Sequence, residues 1–321
     1  MARAIQMAHI GGPEVLALTD IEVPEPGENQ VLIKVTAAGV NFIETYQRSG
    51  VYSVDLPFIP GSEGAGTVAA VGPGVTNFSV GDAVATAGGR GSYSEYMLVD
   101  ESKLARIPDG LDLTTAAALP LQGFTSHYLI NSTYNVQDGD VVLTTAGAGG
   151  VGGLMTQMLK AKGATVITTT SSEEKAAIAK SKGADYVLKY DEVPEKVLEI
   201  TDGRGVDVAY DGVGKDTFDN SLASLRTRGM LVLFGGASGQ VPPFDLQRLN
   251  AQGSISVCRP SLAHYCLTAE ELQWRANDVF GMLADGDLEV SIGGTYDLAD
   301  AGKAHTDLES GKTTGKLVLT I

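Results

Sequence analysis

Gly147, Gly149 and Gly152 stand as G-x-G-x-x-G within TTAGAGGVGG, the stretch from Thr144 to Gly153. That spacing acquires chemical meaning where a strand precedes it and a helix follows. Here the apolar DVVL comes before and LMTQMLKAKG after. In that setting the first glycine permits a tight turn, the second lets a pyrophosphate approach the backbone, and the third lets helix pack on strand. Backbone N–H groups of Gly150, Val151 and Gly152 at the positive end of the helix then face the phosphates. The expected ligand is a dinucleotide.

Which dinucleotide is indicated about 20 residues further on, where an NAD site carries an acid for the ribose 2′-hydroxyl. The corresponding segment reads TTTSSEEK, with Thr170 and Ser171 at the strand end. Small hydroxyls leave room for a 2′-phosphate, and Lys175 in the next helical turn supplies a cation. Ser171 equally suits a helix cap, with Glu174 completing a capping box. The two roles are compatible, and NADPH is favoured over NADH, although Glu173 and Glu174 would oppose a phosphate.

A second group lies in GVNFIETYQRSGVY, where Asn41, Tyr46 and Tyr52 bring neutral donors and Arg48 a cation to a segment between two strands. Together they suit a substrate carbonyl. Other chemistries lack their residues. His9, His127, His264 and His305 form no His-x-x-x-His pair, and Cys258 and Cys266 both come late, so a zinc site with about three protein ligands is not indicated. No Gly-x-Ser-x-Gly elbow supports acyl transfer. SGKTTGK departs from a P-loop, because Thr306 stands where its first glycine belongs.

Two kinds of element must position these groups. The first 120 residues read as short β-rich runs broken by Gly, Pro, Asn and Asp, which predicts a barrel-like β domain. From there strands at 141–145, 165–169, 186–188, 206–210, 230–234 and 254–258 alternate with helices such as 150–162 and 173–182. That is the pattern of an α/β, doubly wound parallel sheet. Thr268 and Glu271 predict a capping box for a later helix with Leu272, Ala276, Val279 and Leu283 on one face. The final GKLVLTI is a strand the six-stranded sheet does not need, and it is expected back in the N-terminal domain. The division is then 1–124, 125–264 and 265–321, with the first and last parts forming one discontinuous domain.

At 321 residues, two domains are the natural division. The formal charge of −16 argues against nucleic acid and anionic membranes as partners. No apolar run approaches the ~18–20 residues of a membrane helix, and MARAIQMAHIGGPEV lacks the apolar core of a signal peptide, so the cytoplasm is expected.

HIGGPEVL, AAGVNFIETYQRSGVY, PFIPGSEGAGTVAAVGPGV, TTAGAGGVG, YDGVG and GSISVCRPSL occur in unbroken order. In this combination the chain resembles the zinc-independent quinone oxidoreductases, the zeta-crystallin-like branch of the medium-chain dehydrogenase/reductase superfamily. The resemblance implies a GroES-like catalytic domain, a Rossmann domain and an active-site cleft between them. It also implies Asn41 and Ser62 where zinc-bearing relatives carry Cys and His. By the same resemblance, Asn41, Tyr46 and Tyr52 line the quinone pocket as catalytic donors, and Thr125 and Tyr128 flank the cofactor. Ser171, Lys175 and Tyr190 take the 2′-phosphate end of NADPH. Phe234, Gly235, Gly236, Arg259 and Ser261 surround the nicotinamide half. Strand 254–258 is expected to pair with its copy in a homodimer. The implied activity is metal-free, NADPH-dependent quinone reduction. The alternatives are an enone or enoyl-thioester reductase with the same cofactor, and a non-enzymatic NADPH-binding or RNA-associated protein.

Overall fold

The segment QVLIKVTAAGV is apolar at nearly every position, and its side chains are buried on both faces along most of its length. In the computed structural model, which describes residues 1–321, it is the long strand around which a β domain is assembled. The chain divides into two compact units, one of residues 1–124 with 266–321 and one of residues 125–265.

Unit one begins with a hairpin of β1 (Ala2–Gln6) and β2 (Ala17–Ile21). Then come β3 (Gln30–Val40), β4 (Gly64–Val71), β5 (Ala83–Thr86), β6 (Tyr96–Asp100) and β7 (Ala105–Arg106). Unit two holds β8 (Val141–Thr144), β9 (Thr165–Thr170), β10 (Tyr186–Lys189), β11 (Val206–Asp211), β12 (Leu225–Leu233) and β13 (Ser256–Cys258). The chain then returns to unit one with β14 (Ile292–Asp297) and β15 (Lys316–Thr320).

The large sheet of unit one runs β14-β15-β3-β4-β5-β7, with β6 also paired to β3. β15 lies between β14 and β3, parallel to the first and antiparallel to the second. Val31, Ile33, Val35, Val68, Val84 and Met97 fill one core cluster, and Ile5, Val40, Leu317 and Leu319 belong to another. Each such side chain fully removed from water contributes about 1.5–3 kcal/mol before conformational entropy is charged against it.

Unit two is an all-parallel sheet in the order β10-β9-β8-β11-β12-β13. A strand such as β11, VDVAYD, buried at all six positions, belongs in a sheet covered on both faces. Strand order reverses between β8 and β11, which defines the switch point where such sheets bind ligands. Beside it, the carboxylate of Asp211 is fully buried and accepts hydrogen bonds from the N–H groups of Val213 and Gly214 and the hydroxyls of Thr217 and Ser221. The YDGVG stretch is therefore a turn anchored from within.

Three local expectations are corrected. β12 begins at Leu225, earlier than the residue-230 start read from sequence, with a register shift against β11 and Arg228 in a left-handed conformation. β13 begins at Ser256, not 254, because Ser254 at φ +56° turns the backbone away from the extended path and the pairing with β12 starts at Ser256 opposite Met230. Thr268 caps the helix Ala269–Asp285 as expected, but Glu271 reaches back to the N–H of Leu267 rather than closing a box on Thr268.

Candidate active site and cofactor loop

In unit two, Gly147 follows β8 at the switch point. A Cβ there would lie 2.3 Å from Thr168 Oγ1 and 2.6 Å from its Cγ2, so no other residue fits without movement of β9. Thr168 is itself held, its hydroxyl accepting from Thr144 Oγ1 at 2.8 Å and donating to the Thr144 carbonyl at 3.1 Å. Gly152 meets the same restriction from the helix side, where a Cβ would lie 2.4 Å from the carbonyl oxygen of Ala146. The N–H of Gly149 donates to that carbonyl at 2.8 Å and closes the turn.

Gly149 caps the helix Gly150–Ala161 with no side chain to occupy its N-terminal groups. Helix geometry leaves the N–H groups of Gly150, Val151 and Gly152 without intrahelical acceptors. Such a backbone cradle suits pyrophosphate oxygens. Tyr190 is brought to it from the turn after β10: its hydroxyl lies against Thr169 and the backbone of Ala146, and burial pushes its pKa up.

The 2′-phosphate segment differs from expectation in its cap, and the capping box expected of Ser171 and Glu174 is not formed. Ser172, not Ser171, caps the helix Glu173–Ser181, accepting from the N–H of Lys175 at 3.3 Å. Ser171 is thereby free of the capping role and exposed on a depression of about 280 Å³ that Lys180 and Lys189 also line. Lys175 is half-buried outside that depression.

The remaining cofactor candidates are spread through unit two. Thr125 is half-buried, whereas Tyr128 is 2 % exposed with its ring stacked on Tyr265 at 4.6 Å, so it serves first as packing. Phe234, Gly235 and Gly236 leave β12, with the N–H groups of Phe234 and Gly235 donating to the Asp211 carbonyl. Arg259 donates to the carbonyls of Phe234 and Pro260, tying two of these loops together, and Ser261 is exposed.

In unit one, Asn41 ends β3 and caps the short helix α1 (Phe42–Arg48). Its N–H donates to Glu44 Oε2 at 2.8 Å, an N-x-x-E relation that the sequence displays. The other oxygen of Glu44 accepts from the N–H and hydroxyl of Ser62. The amide of Asn41 donates to Glu63 Oε2 at 2.9 Å and accepts from the ammonium of Lys316, which also pairs with Glu63. Glu63 Oε1 accepts from the N–H of Leu121 at 2.7 Å. Glu44 and Glu63 are fully buried, and Lys316 is 2 % exposed. Burial pushes the Glu44 carboxyl up to about 7, with the donors of Ser62 and the Lys316 charge pulling it down and Glu63 adding to the rise.

Tyr46 is half-buried and Tyr52 is 51 % exposed; their rings meet edge to face at 5.6 Å, and Phe42 stacks on Tyr46 at 6.4 Å. The segment thus offers an aromatic surface with two hydroxyls. Arg48 does not join it. Its side chain is buried and bonded to the Gly11 carbonyl, His305 Nδ1 and the Glu309 carboxylate, so the cation read from sequence belongs to the interior.

Glu44, Glu63, Lys316, Thr168 and Asp211 were not among the residues read from sequence as functional. The first had a visible capping signal. Lys316, at the head of an apolar strand, looks like a solvated strand end, and nothing local marks its burial.

Residues 27–109 match the family model of the alcohol dehydrogenase GroES-like domain, and residues 150–273 that of the zinc-binding dehydrogenases. No group of three His, Cys, Asp or Glu residues could hold a metal. The position around Asn41 and Ser62 does not fit zinc either, since an ammonium already occupies the oxygens of Asn41 and Glu63. The chain is 47 % identical to a quinone oxidoreductase of Pseudomonas aeruginosa, covering 99 % of both. It superposes on the crystal structure of an Escherichia coli quinone oxidoreductase complexed with NADPH with a TM-score of 0.94, at 40 % identity and full coverage of both chains. It is also 40 % identical to a 2-haloacrylate reductase of a Burkholderia species over 96 % of each. Sharing this similarity along essentially its whole length, the chain belongs to the quinone oxidoreductase family of the medium-chain dehydrogenase/reductase superfamily.

Proposed function

We propose that this protein reduces quinones at the expense of NADPH. The strongest support is its full-length similarity to an enzyme seen with NADPH, combined with a Gly147–Gly152 loop whose close packing only glycine permits. When bound, the cofactor supplies a hydride. The N–H groups of Gly150, Val151 and Gly152 hold its pyrophosphate, Ser171 and Lys175 its 2′-phosphate, and the loops of Phe234, Gly235, Gly236, Arg259 and Ser261 its nicotinamide half. Thr125 and Tyr190 complete the contacts, with Tyr128 behind them.

In the chain's own chemistry, the half-buried ring of Tyr46 and the exposed ring of Tyr52 give a planar substrate a surface to pack on. The second N–H of Asn41 and the tyrosine hydroxyls then meet the negative charge that develops on the quinone oxygen. Donors fixed in advance stabilise such charge without reorganisation. A quinone oxygen accepts charge far more readily than a simple ketone, so neutral donors suffice.

A second reading, reduction of an activated carbon–carbon double bond, is favoured by the 2-haloacrylate reductase relative. There Tyr46 or Tyr52 would deliver a proton to carbon. Initial rates with NADPH and NADH, each against 1,4-benzoquinone and 2-hexenal, separate the two. Fast quinone turnover with NADPH preference is expected; enal turnover with negligible quinone reduction would replace the first reading by the second.

We further propose that the protein is a cytoplasmic homodimer joined through β13. No helix is long and apolar enough to cross a membrane, and both cysteines are free thiols. β13 pairs only with β12 and presents Val257, so it is an open sheet edge that calls for a cover. Light scattering of the wild type and Val257→Pro measures this: a dimer lost in the variant is expected.

A further inference from the structure

Lys316 is the most deeply buried ammonium in the chain, and the site described above gives it no chemical step. Strand register puts it where it is. Leu317 pairs with Val40 in the antiparallel β3–β15 ladder, so Lys316 and Asn41 are the next residues on each side. The lysine N–H donates to the Ser291 carbonyl at 2.7 Å, fixing the head of β15. Space for the side chain is left by Gly39, where a Cβ would lie 2.1 Å from Glu63 Oε2 and 2.8 Å from Lys316 Cε.

The three side chains form a closed ring. Lys316 donates to Asn41 Oδ1 and to Glu63 Oε2, and Asn41 Nδ2 donates to that same Glu63 oxygen. An ammonium has only donors and an ionised carboxylate only acceptors, so the amide can enter the ring one way round. One Asn41 N–H is consumed. The other has only the Gly39 carbonyl at 3.5 Å, the outer limit of a hydrogen bond.

We propose that Lys316 is a positioning residue for the reaction: with Glu63 it locks the plane and the flip state of the Asn41 amide so that a single N–H is presented to substrate oxygen. This rests on Asn41 being a donor in quinone reduction. Lys316 never touches substrate and acts only through Asn41.

The test uses the full-length protein. Lys316→Met alone would strand two carboxylates in the interior, so the principal variant is Lys316→Met with Glu63→Gln, which removes one charge of each sign. Circular dichroism and NADPH titration by fluorescence first establish that it folds and binds cofactor like the wild type. Its quinone kcat is expected to fall about tenfold with KM changed less than twofold. In an Asn41→Ala background the same pair of changes should cost nothing further, which is the signature of residues acting as one unit. An undiminished kcat, or an equal loss with and without Asn41, would overturn the proposal.

A second readout is independent of turnover. The side-chain amide resonances of Asn41, assigned by their disappearance in Asn41→Ala, should exchange slowly with solvent in the wild type and at least tenfold faster in the paired variant. Unchanged exchange refutes the lock. Failure of the wild type to reduce any quinone would instead refute the functional reading and leave the exchange result to decide the lock by itself.

Discussion

Arg48 Nη1 donates to His305 Nδ1 at 3.2 Å, and this contact fixes the state of the imidazole. A guanidinium can only donate, so Nδ1 accepts and the ring proton sits on Nε2, from which it is donated to the Tyr93 hydroxyl at 3.2 Å. Burial, with the Arg48 charge beside it, brings the His305 pKa down to about 4. In the same unit Glu44 is displaced the other way, to about 7.

These two groups give opposite pH dependences. Between pH 6.5 and 4 the unfolded chain protonates His305 while the fold does not, so its contribution to stability is lost as pH falls. Between pH 4.5 and 7 the fold keeps the Glu44 proton that the unfolded chain has released, so stability is lost as pH rises. They oppose each other where the windows overlap. Relative to wild type, His305→Asn should therefore show stability falling more steeply with pH, and Glu44→Gln stability rising more steeply, each by up to about 1.4 kcal/mol per pH unit. Urea unfolding from pH 4.5 to 7 measures both slopes; parallel curves for all three proteins would contradict the assignment.

Lys175→Ala should weaken NADPH binding by roughly 1.5–3 kcal/mol, the worth of a charge-assisted hydrogen bond, and leave NADH nearly unchanged. Fluorescence titration with both cofactors reads the difference. Equal losses would move the 2′-phosphate contact elsewhere, with Lys180 and Lys189 on the neighbouring depression the next to examine.

Gly147→Ala should destabilise the protein by about 1–3 kcal/mol, because the new methyl meets Thr168 at 2.3 Å, and should cost at least tenfold in NADPH affinity. Adding Thr168→Ala removes two of the three close contacts and should restore part of the melting temperature. No recovery would mean that the glycine is required for the path of the loop rather than for the room it leaves.

Tyr46→Phe and Tyr52→Phe separate the two chemistries. If the hydroxyls only solvate charge on a quinone oxygen, each change should slow kcat by less than the ~10²–10³-fold typical of an oxyanion-site donor. If one of them protonates carbon, its loss should nearly abolish enal reduction.

What could be read in advance divides by range. The alternation of apolar runs with helical stretches indicates the parallel sheet, and the glycine spacing its ligand loop, because both are written in consecutive residues. Errors of a few residues came from backbone conformation: the left-handed φ of Ser254 and Arg228 leaves no mark in composition. Ser171 is the cap the sequence suggests, and only the completed turn selects its neighbour Ser172. Arg48 and Lys316 were harder still. A cation is expected in water unless a partner is known, and those partners, Glu309 and Glu63, stand 261 and 253 residues away.

The placement of β15 between β14 and β3 also sets an order of assembly during translation. β3 is made early, yet the Ala37–Val40 part of one of its edges stays open until residues 317–320 have been synthesised, on the order of tens of seconds later at ordinary elongation rates. Unit two, continuous from 125 to 265, has all its strands long before then. Between the completion of β13 and the arrival of β15 the nascent chain carries one unit able to complete its sheet and another with part of a strand edge uncovered, which is the stretch of its life in which a holdase chaperone has the most to protect.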